Sequence, residues 1–393
     1  MSRSLVAWPP PGASAHDVLA DVATLATLEA ALDGTGPAVV AAQAVDPADW
    51  PSVPDEAAVI IATSGTTGQP KPTMLAAASL AQAVDGVQDA FGGPGQSLLA
   101  VPPSHITGIA VILRNLAAGH EPVAVAPGHF DGAAFVEATR RLDPRAARRY
   151  VTLVPTQLHR LLADPEAVAA LRDYDVVGVG AAPLPTVDRA RARALGIRLV
   201  DGYGCSETSG GCLYDGRPLP GTDVVLDGDG RVHVGGPLVA LGYLGRPDAD
   251  AAFGADASGR RWFRTNDHGR LLRDGRVQVV GRLDDLIISG GLKVAPTVVE
   301  DALGAAVPEL GETLVVGAPD AEWGEAVTVL AVAGTVTGQA IPTLPTITVL
   351  RDRLRHHLPA HALPRSLHLV EALPRRGPGK LDRVTARALV SGP

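Results

Sequence analysis

The sequence predicts an α/β multi-domain protein, with a large N-terminal domain of parallel αβ layers, a β-rich barrel-like subdomain and a small α+β C-terminal domain. The first observation is length, because 393 residues exceed one ordinary hydrophobic core. The second is an alternation of strand and helix patterns up to about Gly221. The third is a change after Gly221 to short β-like runs separated by glycine turns.

The alternating region supports a largely parallel sheet that helices cover on both faces, since buried parallel strands are short apolar runs joined by helices. The strands are predicted at 57–62, 98–101, 123–125, 150–154 and 176–179. The helices are predicted at 18–32, 79–91, 106–118, 130–142 and 157–162.

The region after Gly221 divides into two parts. Four β-like runs at 223–226, 231–234, 270–272 and 278–280 predict the antiparallel or barrel-like subdomain. From residue 284 the pattern is strand, helix, strand and then a helix at 348–358, and the Gly-, Thr- and Pro-rich stretch 334–345 predicts an exposed loop. We therefore place the large domain at 1–283 and the small domain at 284–393.

Composition excludes several protein classes. A hydrophobic fraction of 46% and a charged fraction of 19% are typical of a globular protein and not of a disordered one. The net charge is −8, and the sequence contains no block of basic residues, so nucleic acid is a poor candidate partner. Two cysteines predict a reducing compartment and no four-ligand zinc site. The N-terminus lacks a signal-peptide core, and the most apolar stretch, 106–113, is shorter than the about 20 residues of a membrane helix. We expect a cytoplasmic protein without a membrane span.

A polar loop, TSGTTGQPK at 63–71, directly follows the predicted strand 57–62. Its glycines allow the backbone to approach a phosphate, its hydroxyls and N–H groups can donate to phosphate oxygens, and Lys71 ends it with a cation. It is not a Walker A loop, because Pro70 stands where that pattern has its second glycine. The candidate phosphate-binding residues are Thr63, Ser64, Gly65, Thr66, Thr67 and Gly68.

This loop resembles the signature of the adenylate-forming superfamily of acyl-CoA synthetases, also called AMP-binding enzymes. A second segment, GYGCSET at 202–208, resembles the family's next motif. The resemblance implies that Tyr203 and Gly204 lie near adenine, that Ser206 contacts a phosphate and that Glu207 holds Mg²⁺. One carboxylate suits an ion that otherwise takes phosphate oxygens and water.

Two more segments are similar to nucleotide-binding motifs of this family. GVGAAP at 178–183 resembles the adenine loop and implies roles for Gly180, Ala181 and Ala182. WFRTND at 262–267 resembles the segment whose aspartate, here Asp267, binds the ribose hydroxyls. The family usually has glycine before that aspartate, so we expect a positive φ at Asn266, which asparagine tolerates better than most residues.

The last motifs concern a domain that the resemblance implies is mobile. In GRLDD at 281–285, Arg282 would reach the ribose or phosphates and Asp284 would be the pivot. The loop SGGLK at 289–293, with Gly290, Gly291 and Lys293, resembles the loop that lines the pantetheine channel of coenzyme A. In PRRGPGK at 374–380, Lys380 would bridge the substrate carboxylate and the α-phosphate.

The resemblance implies a reaction with ATP, Mg²⁺ and coenzyme A in two steps. The carboxylate itself attacks the α-phosphate, so no general base is needed. Lys380, Lys71, Glu207 with its metal and the loop donors would stabilise the developing charge. Rotation of the small domain would then replace Lys380 by the glycine loop and form the thioester.

The acyl segment, PPSHITGI at 102–109 with Arg114, resembles that of o-succinylbenzoate–CoA ligases of menaquinone biosynthesis, as does VPTQL at 154–158. A substrate with a second carboxylate needs a cation or several donors, and His105, Thr107 and Arg114 are the candidates. Each has an ordinary alternative: His105 packs, Thr107 caps a helix, and Arg114 lies on the surface.

Other functions remain open on sequence alone. Another acyl- or aryl-CoA ligase would share every motif except the acyl segment, and an adenylation enzyme would load a carrier protein instead of coenzyme A. A hydrolase would use Ser206, but Thr208 stands where the nucleophile elbow has glycine. A non-catalytic nucleotide-binding protein would not need Lys380.

Overall fold

A computed structural model describes the chain at residues 2–9, 13–41, 46–50, 52–63, 71–332, 335–336, 339–340, 345–376 and 380–391. Within these ranges the chain forms four sheets of five or seven strands and a set of two-stranded ribbons. Helices pack their apolar faces against these sheets. None of the helices in the same ranges is long and apolar enough to cross a bilayer.

The N-terminal sheet has three parallel strands followed by two antiparallel ones. Its strands, in spatial order, are Leu5–Ala7, Ala38–Ala41, Ala57–Thr63, Lys71–Ala76 and Gly242–Tyr243. A small ribbon pairs Ser2–Arg3 with Val53–Pro54.

The helix predicted at 18–32 is two helices, Ala15–Ala20 and Val22–Asp33. The break lies at Asp21, whose carboxylate accepts a hydrogen bond from Ala23 N at 3.1 Å and so caps the second helix. The prediction of one continuous helix was wrong, because apolar spacing continues through a residue that prefers to cap.

The central sheet confirms the predicted parallel arrangement for four of the five predicted strands, whereas the strand predicted at 57–62 lies in the N-terminal sheet. Five strands run parallel and two antiparallel strands extend one edge. In spatial order they are Val123–Ala124, Gln96–Leu99, Arg149–Leu153, Val176–Val179, Leu199–Cys205, Gly210–Tyr214 and Arg217–Pro218. Leu98, Val151 and Val177 are buried in the core cluster on this sheet, which explains why these strands are short apolar runs.

Helices cover this part of the molecule at Ala77–Phe91, Ile106–Ala117, Gly132–Arg140, Pro155–Leu162, Pro165–Arg172 and Thr186–Ala194. The last two were not predicted. Pro165–Arg172 has a recognisable start, because the Asp164 carboxylate accepts from Glu166 N at 2.9 Å and proline follows at the first helical position. An aspartate before a proline was the signal that could have located it.

The β-rich subdomain is an antiparallel sheet. Its strands are Asp223–Leu226, Arg231–Gly235, Phe253–Ala255, Arg261–Leu271 and Val277–Arg282. Only the end of the long strand Arg261–Leu271 was predicted, at 270–272. The sheet buries Val232, Val234 and Phe263 in a cluster of its own.

The C-terminal region builds a fourth sheet with a separate core. Its strands are Ile287–Ser289, Leu292–Val294, Thr313–Asp320, Gly324–Val332 and Ser366–Val370, and its helices are Pro296–Ala306, Ile347–Leu354 and Arg383–Val390. Short ribbons pair Arg375–Arg376 with Lys380–Leu381 and Thr335–Val336 with Gln339–Ala340. The rest of the predicted loop 334–345 lies largely outside the described residues, and the helix predicted at 348–358 ends at Leu354.

Candidate active site

A cavity of about 1610 Å³ lies where the carboxyl ends of the central parallel strands meet the other two N-terminal sheets. Residues that follow or end four parallel strands line it, at 101–107, 152–154, 178–181 and 202–207. Open α/β sheets bind ligands at this edge because the strand ends leave a crevice between successive loops. Most of the predicted site residues in the described N-terminal part face this one cavity.

One wall of the cavity, called the nucleotide wall after the predicted roles of its residues, joins Tyr203, Asp267 and Arg282 from three different strands. The Tyr203 hydroxyl donates to Asp267 Oδ2 at 2.5 Å, and Arg282 Nη1 lies 3.9 Å from Asp267 Oδ1. Asp267 and Arg282 are direct partners across two antiparallel strands. Burial raises the pKa of Asp267, while the Tyr203 hydrogen bond and the Arg282 charge oppose that rise. Asp267 is thus a largely buried hydrogen-bond acceptor that lines the cavity, and the Tyr203 hydroxyl fixes its orientation.

The expectation of a positive φ at Asn266 was wrong. Asn266 lies within the strand Arg261–Leu271, and the non-glycine residues with positive φ in the described chain are Ala181, Ser209 and Asp215. The Asn266 Oδ1 atom instead accepts a hydrogen bond from Arg231 Nη1 at 3.1 Å. The side chain therefore has a partner in the neighbouring strand, which explains how a residue other than glycine fits here.

The predicted adenine loop begins directly after the strand Val176–Val179. Gly180 and Ala181 line the cavity, and Ala182 beside them is exposed. Ala181 has a φ of 68°, a left-handed conformation that turns the chain sharply. Gly204, in the facing strand, has no room for a side chain, because a Cβ there would lie 2.0 Å from Gly210 O.

Glu207 follows the strand Leu199–Cys205 in a short 3-10 turn that also contains Ser206, and both side chains are buried. The Glu207 Oε1 atom accepts from the Tyr243 hydroxyl at 2.8 Å, and Lys71 Nζ lies 5.4 Å from the centre of the Tyr243 ring. Lys71, Ser206, Glu207 and Tyr243 all line the cavity. Tyr243 was missed on sequence, because only strand pairing brings it to residues so distant along the chain.

The donor set on this wall fits Mg²⁺ that arrives with a nucleotide. The described residues contain no group of three or more His, Cys, Asp or Glu placed to hold a metal without help. Mg²⁺ binds through one or two carboxylates together with phosphate oxygens and keeps several waters. A buried carboxylate such as Glu207, fixed at one oxygen and facing the cavity, matches that chemistry.

The part of the cavity around Arg114, called the acyl end after its predicted role, contains a buried cation. Arg114, on the helix Ile106–Ala117, is 4% exposed, so its placement on the surface is excluded. Its Nη2 donates to Thr152 Oγ1 at 3.1 Å, and its guanidinium lies 5.6 Å from the centre of the Phe91 ring. Its Nε has no hydrogen-bond partner, and no described carboxylate forms an ion pair with it. Burial lowers the pKa of this guanidinium, yet arginine keeps its charge in proteins.

The two other acyl candidates also face the cavity. His105 occupies the cap position of the helix Ile106–Ala117, and its side chain makes no capping hydrogen bond and is exposed. Thr107 is the second residue of that helix, so it does not occupy the capping position. Both line the cavity with Arg114.

Several predicted residues are described in part or not at all. The loop residues Ser64, Gly65, Thr66, Thr67 and Gly68 lie outside the described residues, as do the side chains of Thr63 and Lys380. The backbone of Thr63 ends the strand Ala57–Thr63, and that of Lys380 begins Lys380–Leu381.

The glycine loop of the C-terminal region lies between two paired strands. Gly290 and Gly291 have φ values of 60° and 75°, and Lys293 Nζ lies 3.4 Å from Asp229 in the β-rich sheet. Within the described chain, these three residues do not line the cavity. Asp284 accepts from Arg282 Nε at 2.9 Å, directly beside the predicted boundary.

Comparison with known protein families agrees with this geometry. The model of the AMP-binding enzymes matches residues 11–244, and that of the AMP-binding enzyme C-terminal domain matches residues 299–380. This chain belongs to the AMP-binding enzyme family. The resemblance drawn from the loop at 63–71 and the segment at 202–208 is confirmed, and with it the prediction of a nucleotide-binding ligase.

Relatives of the AMP-binding enzyme are named as acid–CoA ligases. The chain is 43% identical over 336 residues to the probable 2-succinylbenzoate–CoA ligase of Mycobacterium tuberculosis, covering 84% of each chain. It is 30% identical to a feruloyl-CoA synthase of an Amycolatopsis species, covering 86% of this chain and 70% of the relative.

Solved structures confirm the predicted fold class. ATP-bound MatB of Rhodopseudomonas palustris matches with a TM-score of 0.72 at 28% identity, covering 88% of this chain and 72% of that one. The o-succinylbenzoate CoA synthetase of Bacillus subtilis, in complex with its acyl-adenylate intermediate, matches with a TM-score of 0.72 at 23% identity. That second match covers 92% of this chain and 80% of the other, and at this identity it supports the fold alone.

Proposed function

We propose that this AMP-binding enzyme is a 2-succinylbenzoate–CoA ligase of menaquinone biosynthesis. It uses ATP, Mg²⁺ and coenzyme A and forms an acyl-adenylate before the thioester. The observation that carries the substrate is Arg114, a buried cation at the acyl end of the cavity without a described acidic partner. A dicarboxylic acid supplies that partner, and the 43% identical relative is named for such an acid.

Adenylation needs two anions to meet. The carboxylate oxygen of the acid forms a bond to the α-phosphorus, the bond to the β-phosphate oxygen breaks, and pyrophosphate leaves with that electron pair. No proton is transferred in this step. Asp267 and Tyr203 hold the nucleoside, while Lys380 and Lys71 supply positive charge where the anions approach.

Metal binding on this wall falls to Glu207. This carboxylate would hold a Mg²⁺ ion that arrives with the nucleotide, and such an ion would supply positive charge to offset the phosphate charge. Glu207 itself contributes a buried, oriented oxygen, because the Tyr243 hydroxyl occupies its Oε1 atom.

Arg114 would orient the acid before reaction. Its charged, planar guanidinium would pair with the second carboxylate and leave the first directed toward the nucleotide. His105 and Thr107 line the same part of the cavity and add polar contacts to the acid.

Thioester formation would follow a rotation of the small domain, 284–393, about Asp284. The sulfur of coenzyme A forms a bond to the acyl carbon, the bond to the AMP oxygen breaks, and the thiol proton passes to water. The loop with Gly290, Gly291 and Lys293 would line the channel for the arm that carries the sulfur. Gly290 and Gly291 have left-handed backbone and no side chain to narrow such a channel.

Pyrophosphate release with a panel of acids tests the proposal. The panel contains 2-succinylbenzoate, ferulate, benzoate and malonate, each with and without coenzyme A. We expect the highest kcat/KM with 2-succinylbenzoate and a thioester product only with coenzyme A. A preference for ferulate or benzoate would contradict the proposed acid, and adenylate without any thioester would favour loading of a carrier protein.

A further inference from the structure

Tyr243 is held in a fixed position on the nucleotide wall. It is 4% exposed and lies in the short strand Gly242–Tyr243, opposite Thr73 in the strand that Lys71 begins. Its backbone N donates to Asp250 Oδ1 at 2.8 Å, and its ring packs edge-on against Phe253 with centroids 5.0 Å apart. Strand pairing, a backbone hydrogen bond and aromatic packing thus leave this side chain little freedom.

The Tyr243 hydroxyl acts as a hydrogen-bond donor to Glu207. An ionised carboxylate can only accept, so in the 2.8 Å contact to Oε1 the proton belongs to the tyrosine. The bond fixes the rotation of the Glu207 carboxylate, whose second oxygen has no described protein donor.

The ring of the same side chain contacts a second charged residue. Lys71 Nζ lies 5.4 Å from the ring centre, within the range of a cation–π contact. Tyr243 therefore contacts both the Glu207 carboxylate and the Lys71 ammonium, and all three residues line the cavity.

We propose that Tyr243 is a positioning residue for the metal–phosphate site. Its hydroxyl orients Glu207 so that the second carboxylate oxygen is presented to the divalent cation of the nucleotide, and its ring guides Lys71. This inference rests on the proposed role of Glu207 in metal binding. It adds a residue from outside the recognised nucleotide motifs and gives its hydroxyl and its ring separate tasks.

The test is the substitution Tyr243→Phe, which removes the hydroxyl and keeps the ring beside Lys71. Loss of a partner that orients a metal ligand typically weakens metal affinity about 10- to 100-fold. We expect that loss in Mn²⁺ binding to the enzyme with ATP, followed by electron paramagnetic resonance without any acid present. The KM for the acid should be unchanged, and excess Mg²⁺ should restore the rate of adenylation.

Tyr174→Phe is the matched control. Tyr174 is another buried tyrosine, and its hydroxyl lies 2.8 Å from Thr139 Oγ1 in the core on the central sheet. Neither Tyr174 nor Thr139 lines the cavity. Because both substitutions remove a buried hydroxyl, Tyr174→Phe should lower the melting temperature about as much as Tyr243→Phe does. Unlike Tyr243→Phe, it should leave Mn²⁺ binding unchanged. If both variants melt alike and bind Mn²⁺ alike, Tyr243 is only structural and the inference is wrong.

A double-substitution cycle with Glu207→Gln shows whether Tyr243 acts through Glu207. In the Gln background, Tyr243→Phe should change Mn²⁺ binding by less than about twofold, because the charge that it orients is already gone. Additive losses would overturn the inference even if each single variant binds metal poorly. Failure of the wild-type enzyme to bind Mn²⁺ with ATP would instead contradict the proposed metal site itself.

Discussion

The two ends of the cavity differ in how their charges are balanced. At the nucleotide end, the Asp267 and Glu207 carboxylates each accept a hydrogen bond from a tyrosine hydroxyl, at 2.5 and 2.8 Å, and Arg282 lies near Asp267. At the acyl end, Arg114 is buried with a neutral hydroxyl and an aromatic ring as its contacts. The carboxylates at the nucleotide end are thus oriented by other protein groups. The acyl end instead has a cation, Arg114, whose anionic partner is absent from the described residues.

A buried charge without a counter-charge is costly, so we propose that a ligand supplies the partner of Arg114. The proposed function assigns separate cations to the two carboxylates of the acid. In this proposal, Lys380 would serve the carboxylate that reacts, which every substrate possesses. Arg114 would serve the second carboxylate, which only a dicarboxylic acid possesses. Substitutions at the two cations should therefore differ in their dependence on the acid.

The largest effect is expected for Lys380→Ala. It should lower the rate of adenylation by about 10³-fold for every acid, because the charge between the two anions is removed. Transfer from a preformed acyl-adenylate to coenzyme A should be spared. Rapid-quench measurement of each half-reaction checks this, and equal losses in both would argue against alternation of the small domain.

Asp284→Pro is the matched variant for that alternation. Proline fixes φ near −65° and stiffens the proposed pivot, so adenylation should survive while thioester formation falls. Unchanged thioester formation would remove Asp284 from the hinge.

Arg114→Met should have the next largest effect, and only with a dicarboxylic acid. Leaving the second carboxylate buried without its cation should cost about 3 kcal/mol, roughly 100-fold in kcat/KM for 2-succinylbenzoate. The matched control is Arg140→Met, because Arg140 is an exposed helical arginine paired with Glu137. Equal losses with 4-oxo-4-phenylbutanoate, which lacks the ring carboxylate, would remove Arg114 from substrate recognition.

Asp267→Ala should weaken the binding of ATP at the nucleotide end of the cavity. Removing a charged acceptor costs about 2 kcal/mol, so we expect roughly 30-fold weaker ATP binding by calorimetry. The ratio of the KM for 2-succinylbenzoate to the KM for 4-oxo-4-phenylbutanoate should be the same as in the wild-type enzyme. Asp274→Ala is the control, because Asp274 is an exposed carboxylate paired with Arg276 in the turn between the strands that carry Asp267 and Arg282. Unchanged ATP affinity would place Asp267 outside the nucleotide site.

The smallest effect is expected for Thr152→Val. This change removes the neutral acceptor of Arg114 Nη2 and keeps the shape of the side chain. One hydrogen bond is worth about 1 kcal/mol, so the KM for 2-succinylbenzoate should rise about fivefold and that for the monocarboxylate should not. Steady-state kinetics with both acids distinguishes this from a general loss of packing.

The sequence predicted the parts of the fold that follow local rules. The strand Val176–Val179 matches its predicted bounds, and all four of its residues are buried, as expected for a strand in a parallel sheet covered on both faces. Local rules failed where a single polar residue decided the structure. Asp21 divides one apolar pattern into two helices, and Asn266 stays in a strand because Arg231 binds its side chain.

Within the described part of the site, the residue types were predictable and their contacts were not. The motif segments identified Tyr203 and Asp267, but their hydrogen bond joins residues 64 positions apart through two different sheets. Tyr243 was not identified, since it reaches Glu207 only because its strand pairs with the strand that Lys71 begins. The burial of Arg114 likewise depends on packing, which helical spacing alone does not reveal.

The pairing of Arg114 with a second carboxylate is tested most directly by the specificity of the wild-type enzyme. The measurement is kcat/KM for adenylation of 2-succinylbenzoate and of 4-oxo-4-phenylbutanoate under the same conditions. We predict a preference of about 10²-fold or more for the dicarboxylic acid, because the analogue leaves a buried cation without its partner. Equal values for the two acids would contradict the account.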